Sequence, residues 1–581
     1  TRLRKWPPKW PASSMGDSNM VDEGIIAHQW FGGRKRGLLA SFVVGTVDQL
    51  LMAALNTKHV HLRHLGLAGK VVVIDEVHAY DAYMSVFLDR ALQFLGAYET
   101  PVILLSATLP PDRREALIKA YRGQNPRVDI SYSAPRLGSG APLYPLITVV
   151  PMDRNAGPSY ITCERSGLNT AVEVEYLPDD SGLLLERLKD ALEGGGCACV
   201  IRNTVSRAQH TCELLNGDID ADVKLVHSRF IAADRARNDQ ELLSLLGTDS
   251  SERPRTLIVV GTQVIEQSLD IDFDLMITDI APMDLLLQRM GRLHRHQRGE
   301  GQSDRPAKLR QARCIITGVE DWAEQWPAVD KGILHVYDRA VLWQTIQVLR
   351  GYAKEGITAL NIPDDIASLV EQTYEGIRLP PSFEMTSTER ADLFSDAVGC
   401  WHEEIRKKQR EAKNWILPKV KAKGQLNGWM HNRLNLGDDD CGRAAVRDSA
   451  ESLEVIVVQE VDGLLRILPR IAELYGVSCL LGNRSDEPDD EGARIAALCS
   501  VGLPPALTVP WRIDKVISCL ENQTPSGWQQ SRWLKGRLAL VIDEEGRATI
   551  ECGNEEFDLY YSEEGGLEMT KRKGGEHVQC P

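Results

Sequence analysis

Apolar residues in this chain follow two rhythms. Short unbroken runs of strand length at 41–47, 71–75, 102–106 and 146–150 alternate with stretches of helical period at 82–98 and 111–121. Runs that are apolar at every position suit strands buried on both faces, and their alternation with helices predicts a parallel sheet wrapped by helices. The same alternation returns at 171–176, 197–201, 223–226, 256–260, 275–278 and 313–316, beyond a Pro/Gly/Ser-rich stretch at 131–145. After residue 320 the helical period takes over, at 338–350, at 363–374 with a proline placed at the helix start, and at 396–415. A strand-like run at 453–458 and a hairpin-like segment at 538–551 then suggest a small α+β unit. The expected fold class is α/β, with an irregular lead-in at 1–25, a first unit at 26–150, a second at 151–320, a helical linker region at 321–450 and a C-terminal accessory domain at 451–581.

Composition narrows the class without naming a function. With 581 residues there is room for three or four domains of roughly 150 residues. A hydrophobic share of 43% and a charged share of 26% are those of ordinary globular protein. The net charge of −15 excludes a uniformly basic coat, so a polyanion must bind along local grooves. The 12 cysteines form no C-x-x-C pair, and Cys197 and Cys199 alternate along a strand onto one face, which points to reduced thiols and a cytoplasmic setting. No apolar run has the length of a membrane span or the form of a signal peptide, so no membrane partner is expected. Segment 406–423 holds eight Lys/Arg, and Trp401 and Trp415 lie fourteen residues apart, nearly one helical face. Bases stacking on the tryptophans beside a basic strip is one reading. The expected one is a helix that docks its tryptophans on a neighbouring unit while its lysines face water.

The chemistry sits at strand ends. Val71-Val72-Val73-Ile74 delivers Asp75 and Glu76 to the end of a buried strand, followed by Val77-His78, which is the DExH spelling of a Walker B magnesium site. A second strand run ends in Ser106-Ala107-Thr108. Further on come the block from Leu257 through Gly261-Thr262-Gln263-Val264-Ile265-Glu266 to Asp270 and the block Gln288-Arg289-Met290-Gly291-Arg292-Leu293-His294-Arg295. Arginines at 289, 292 and 295 recur at a spacing that gathers them on one helical face. In this order the four blocks resemble motifs II, III, V and VI of superfamily 2 helicases. Together with Gly45-Thr46-Val47-Asp48-Gln49, Asn203-Thr204-Val205 and His227-Ser228-Arg229-Phe230, they are similar to the CRISPR-associated helicase-nuclease of type I systems, over roughly residues 30–300.

That resemblance implies two RecA-like parallel-sheet lobes, of which the first is N-terminally incomplete. It implies ATP and Mg²⁺ as cofactors. Asp75 would hold the metal, Glu76 would orient or deprotonate the attacking water, and His78 would link that site to the second lobe. Gln288, Arg292 and Arg295 would reach across the interlobe cleft, Asp270 would touch the ribose or the arginines, and Ser106 and Thr108 would couple the nucleotide site to a distant surface. Thr46, Asn203, Thr204, His227, Arg229, Thr262 and Gln263 would hold the phosphates of single-stranded DNA, although a loop cap explains any one of them equally well. The partners would be single-stranded DNA, a guide-RNA surveillance complex and a missing N-terminal portion, supplied in trans. No Gly-x4-Gly-Lys-Ser/Thr phosphate cradle occurs in the sequence, and none of the 13 histidines is followed by aspartate as in the family's nuclease. The expectation is therefore the C-terminal portion of a longer enzyme, inactive alone. A DExH helicase of DNA repair or RNA metabolism and a non-hydrolysing binding module are the alternatives.

Overall fold

The computed structural model describes residues 37–56, 60–123, 144–153, 155–164, 169–248, 253–266, 269–354, 359–378, 388–419, 446, 453–553, 555–573 and 576–579. The lead-in at 1–25, most of the stretch at 131–145 and the last part of the basic segment, from 420 on, lie outside the described residues.

In the first unit, α1 (Val47–Leu51), α2 (Val60–Leu67), β1 (Val72–Ile74), α3 (Ala82–Ala97), β2 (Val102–Leu104) and α4 (Pro111–Arg122) follow one another. The Asp81 side chain caps α3 by accepting the Met84 N–H at 2.8 Å. β1 and β2 pair in parallel with Val72 opposite Val102. The helices pack on one side around Leu51, Leu55, Phe87, Leu88 and Leu92. On the other side Val73 and Ile103 are 58% and 48% exposed. Two expected strands differ. Residues 41–46 are irregular and exposed, because their apolar run stops at Gly45 and leads straight into α1 with Thr46 as N-cap. β3 (Leu146–Val149) does form, but it pairs antiparallel with β4 (Ser159–Thr162) in a separate ribbon. A run of four apolar and β-branched residues specifies a strand without specifying its neighbour.

The second unit contains β5 (Thr170–Tyr176), α5 (Ser181–Ala191), β6 (Gly196–Ile201), α6 (Val205–Asp218), β7 (Asp222–Val226), α7 (Ala232–Leu246), β8 (Thr256–Gly261), β9 (Leu275–Asp279), α8 (Met283–Met290) and β10 (Arg313–Thr317). Helices α9 (Lys331–Val336) and α10 (Arg339–Lys354), strand β11 (Ala359–Ile362), and helices α11 (Ile366–Arg378) and α12 (Thr388–Lys413) complete the middle of the chain. The sheet order is β11-β5-β10-β9-β6-β8-β7, all parallel except β11, which runs antiparallel along β5. Strand β11 lies in the region read as helical linker; four residues ending at Pro363 are too short to announce a strand by period. Every residue of β6 is buried, with Cys197, Cys199 and Ile201 in the core on one face and Ala198 and Val200 in the core on the other.

The C-terminal domain holds two sheets. β12 (Glu454–Val461) pairs with β13 (Leu464–Arg466) and β15 (Ser500–Gly502), and β13 pairs with β14 (Leu480–Gly482). β16 (Leu538–Ile542) joins this sheet by running parallel to β12. β17 (Arg547–Cys552), β18 (Glu555–Ser562), β19 (Gly566–Lys573) and β20 (Glu576–Gln579) form an antiparallel meander. The expected hairpin at 538–551 is thus a turn between two sheets, since β16 pairs with β12 and β17 pairs with β18. A turn signal between two apolar runs fixes the reversal of the chain, not the partner of each strand.

Candidate functional site

The parallel ladder of the first sheet delivers the acidic pair to its end. Leu105 N–H donates to Ile74 O at 2.9 Å and Val77 N–H donates to Leu105 O at 3.1 Å, so the chain leaves β1 beside β2 with Asp75 and Glu76 exposed. Asp75 Oδ1 accepts the Glu76 N–H at 2.9 Å, and Glu76 takes a left-handed conformation at φ 53°. That conformation is uncommon for a residue with a Cβ, and it turns the Glu76 side chain away from the strand direction. The Tyr80 hydroxyl donates to Asp75 O at 3.0 Å. Burial and the Asp75 charge push that phenol up to about 12.

His78 joins three motifs. Ser106 Oγ donates its proton to Thr108 O at 2.5 Å, so it can only accept from His78 Nδ1, 3.2 Å away. On the other side of the ring, Nε2 meets the side-chain amide of Gln288, which reaches over from α8 of the second lobe. Glu76 Oε2 lies 3.3 Å from the same Nε2. The structure thus brings Glu76, His78, Ser106 and Gln288 into one chain of contacts across the interlobe cleft. The cleft holds 650 Å³ and is walled by His78, Thr108 and Arg113 on one side and by Asp284, Tyr374 and Trp401 on the other.

The other motif VI residues stay on their own lobe. Arg292 donates to Leu269 O at 2.6 Å and to Glu266 O at 2.7 Å. Burial lowers its pKa, Arg295 adds to that, and the Asp270 and Glu76 carboxylates oppose it. Its Nε is buried without a partner. Arg295 pairs with Asp270 at 2.5 Å. Burial works against the Asp270 carboxylate, but the hydrogen bond and charge of Arg295 outweigh it and hold the group below its usual range.

Among the residues expected along a nucleic-acid strand, Thr204 caps α6 by accepting the Arg207 N–H at 3.3 Å, and Thr46 caps α1 through its backbone. Gln263 donates to Asn203 O at 3.0 Å, and the backbone oxygen of Arg229 accepts the Leu567 N–H at 2.8 Å. The other three are out of solvent. Asn203 is 2% exposed, with its amide on Ile280 O and its side-chain oxygen on Arg289. Thr262 is 2% exposed behind β7, donating its N–H to Val226 O at 3.2 Å. His227 is 1% exposed, stacked on Phe230 and bonded to Gly565 O at 3.1 Å under the C-terminal domain. Burial, reinforced by Arg229, lowers its pKa to about 3. Fixed in this way, the three hold their loops through buried contacts.

Sequence reading missed Arg289. It is fully buried and bonds Glu266 at 2.7 Å, Thr278 at 2.6 Å and Asn203 at 3.0 Å, with Tyr337 at 3.4 Å. It therefore ties motif V to motif VI from inside. Its place as the first of three evenly spaced arginines was the available signal. Trp401 and Trp415, read as one helical face, serve different cores: α12 ends at Lys413, Trp401 packs on the second-lobe core and Trp415 on the first. Both therefore dock on protein.

Two family models match the chain. One, described as CRISPR-associated nuclease/helicase Cas3, C-terminal, covers residues 194–298, and the other, the Cas3 C-terminal domain, covers residues 447–567. The CRISPR-associated nuclease/helicase Cas3 of Streptococcus thermophilus is 36% identical over 578 residues, which are 96% of this chain and 58% of that protein. The CRISPR-associated endonuclease/helicase Cas3 of Thermus thermophilus is 36% identical over 415 residues, covering 63% of this chain and 41% of that protein. The crystal structure of T. fusca Cas3 with ATP superposes with a TM-score of 0.74 at 29% identity, over 93% of this chain and 58% of that one. A chain from a CRISPR RNA-guided surveillance complex, pre-nicking, superposes with a TM-score of 0.70 at 28% identity, over 92% of this chain and 61% of that one. The chain spans less than two thirds of the length of these relatives. It belongs to the Cas3 family of superfamily 2 helicases, with the mixed α/β, RecA-like architecture of that family. No helix among the described residues is long and apolar enough to cross a membrane.

Proposed function

We propose that the chain is the motor part of a CRISPR interference helicase, which moves along single-stranded DNA at the expense of ATP after a guide-RNA surveillance complex has opened the duplex. The observation that carries this reading is the contact from Glu76 and Ser106 through His78 to Gln288, because it links the acidic strand end to the motif VI helix across the interlobe cleft. The exposed Asp75 carboxylate fits water-mediated binding of Mg²⁺, and the ion would neutralise charge on the β- and γ-phosphates. Glu76 would accept a proton from the attacking water or orient it. Arg292, with its unpartnered Nε, and Arg295 would turn toward the γ-phosphate on closure, a role worth about 10³ to 10⁵ in rate. Thr46, Thr204, Arg229 and Gln263 would hold strand phosphates without reading bases, which suits a motor whose target is chosen by a guide RNA.

The sequence contains no Gly-x4-Gly-Lys-Ser/Thr pattern, so turnover is proposed to need a Walker A segment, in cis or in trans. The test compares ATP hydrolysis by the 581-residue chain alone and joined to such a segment, with DNA or RNA strands added. The chain alone should stay well below about 1 s⁻¹, and the joined protein should be stimulated by single-stranded DNA more than by RNA. Glu76→Gln should then keep ATP and DNA binding and lose turnover. Equal stimulation by RNA would favour a helicase of RNA metabolism, and DNA-stimulated turnover of about 1 s⁻¹ by the isolated chain would refute the dependence on an added cradle.

A further inference from the structure

We infer that α12 is a strut that fixes the separation of the two lobes, anchored in one core at each end. At its N-terminal half, Phe394 is 4% exposed and stacks on Trp326 with ring centroids 4.5 Å apart and planes at 7°. Phe394 and Val398 belong to the second-lobe core, and Trp401 packs against it. At the other end, Ala412 is fully buried in the first-lobe core, where Trp415 and Ile416 pack beside it. The backbone there is tied as firmly as the side chains. Asn56 N–H donates to Trp415 O at 2.9 Å, Leu417 N–H donates to Ala54 O at 2.8 Å, and Leu55 and Ile416 form an antiparallel bridge. The guanidinium of Arg90 closes this anchor by donating to Leu417 O.

Between the anchors the helix is mostly polar, and Lys408 reaches Asp81 at the start of α3 at 4.0 Å. Residues 402–411 read His-Glu-Glu-Ile-Arg-Lys-Lys-Gln-Arg-Glu, with Glu403, Glu404, Arg406, Lys407 and Arg410 exposed. This stretch runs along the mouth of the interlobe cleft, where Trp401, Glu404 and Lys408 face it. At 1.5 Å per residue, the span from Trp401 to Ala412 is about 16 Å of continuous helix. Its C-terminal end packs against α3, which begins just after the DExH box, and its N-terminal part packs against α10. A continuous helix resists stretching and bends only gently. The lobes can therefore pivot about its ends, but they cannot drift apart, and His78 and Gln288 are held within reach of each other. This goes beyond the proposed motor function, since it concerns the geometry of the lobes with or without ATP.

The test places two dyes by site-specific incorporation at exposed Lys119 on α4 and exposed Glu213 on α6, and reads the interlobe distance distribution of the 581-residue chain by energy transfer. The unmodified chain should give one narrow distribution. Arg406→Pro, which breaks a helix interior at a solvated position, should at least double its width. The pair Phe394→Ala with Trp401→Ala, which releases one anchor and leaves the helix intact, should do the same, so the inference stands or falls on this pair if the proline variant fails to fold. Glu403→Ala should leave the width as it is. Unchanged widths in a folded proline variant or in the anchor pair would overturn the strut, as would equal broadening by Glu403→Ala.

Discussion

The two lobes start from nearly the same sequence signal and end in different surroundings. Val71 to Ile74 and Val102 to Leu105 are as apolar as residues 197–201 or 275–278, yet Val71, Val73, Ile103 and Leu105 are between 46% and 61% exposed, whereas β6 and β9 are buried throughout. The cause is the company of each strand. Among the described residues β1 has β2 as its sheet neighbour, with helices over one face, while β6 lies between β9 and β8 with a core on both faces. An apolar run therefore encodes a capacity for burial, and neighbouring strands and helices decide whether it is used. The acidic pair of the candidate site lies on the less covered lobe and depends on a short ladder for its position.

The largest effect expected from this difference is in protection. Limited proteolysis and amide exchange of the 581-residue chain should open residues 37–123 well before residues 169–317, because β1 and β2, its sheet strands among the described residues, leave apolar surface and backbone groups to water. Equal protection of the two segments would break the comparison. Next in size is the cost of truncating a strand residue. Ile277→Ala, at a fully buried position of β9, should destabilise the second lobe by about 2–5 kcal/mol. Ile103→Ala, at an exposed position of β2, should stay within about 0.5 kcal/mol in denaturant titrations. A large loss at Ile103 would mean that its face is covered in solution.

Much of the second lobe was legible in the sequence, and the reason is physical. Strands β6, β8 and β9 are buried on both faces, so each wrote a nearly uninterrupted apolar run, and the helices between them wrote a clean period. The chemistry of motif II was legible for a related reason, since Asp75 and Glu76 end such a run. What the sequence hid were matters of partnership. The strand at 359–362 was too short to show a period, the strands at 146–149 and 538–542 were read correctly as strands but with the wrong neighbours, and Phe42 to Val44 carried strand propensity without a sheet to join. His227 and Asn203 looked like groove residues because polar side chains at strand ends often are. Nothing local to them says that Gly565 covers the one and Arg289 claims the other.

The smallest effect sharpens the comparison through pH. His64 is buried in the first lobe, where its Nε2 meets Ala53 O at 2.8 Å and its Nδ1 meets the Tyr98 hydroxyl at 2.8 Å. With Nε2–H donating to the carbonyl, Nδ1 must accept from the tyrosine, which suits the neutral ring; protonating Nδ1 would lose that bond. Burial accordingly lowers its pKa to about 4 from 6.5, against the opposing pull of the Ala53 carbonyl. The folded lobe binds the proton less readily than the unfolded chain, so this contribution to stability is complete above about pH 6.5 and is lost as pH falls toward 4. Each pH unit crossed in that window costs at most about 1.4 kcal/mol. In a unit of 60–100 residues a loss of 1 kcal/mol lowers Tm by roughly 4–8 °C. Calorimetry at pH 7.0, 6.0 and 5.0 should therefore show a lower transition, assigned to the first lobe, that moves down by several degrees, and His64→Gln should flatten that movement. If the lower transition keeps its full pH dependence in the variant, the acid sensitivity belongs to another group and the assignment of that transition to the thinly covered lobe fails with it.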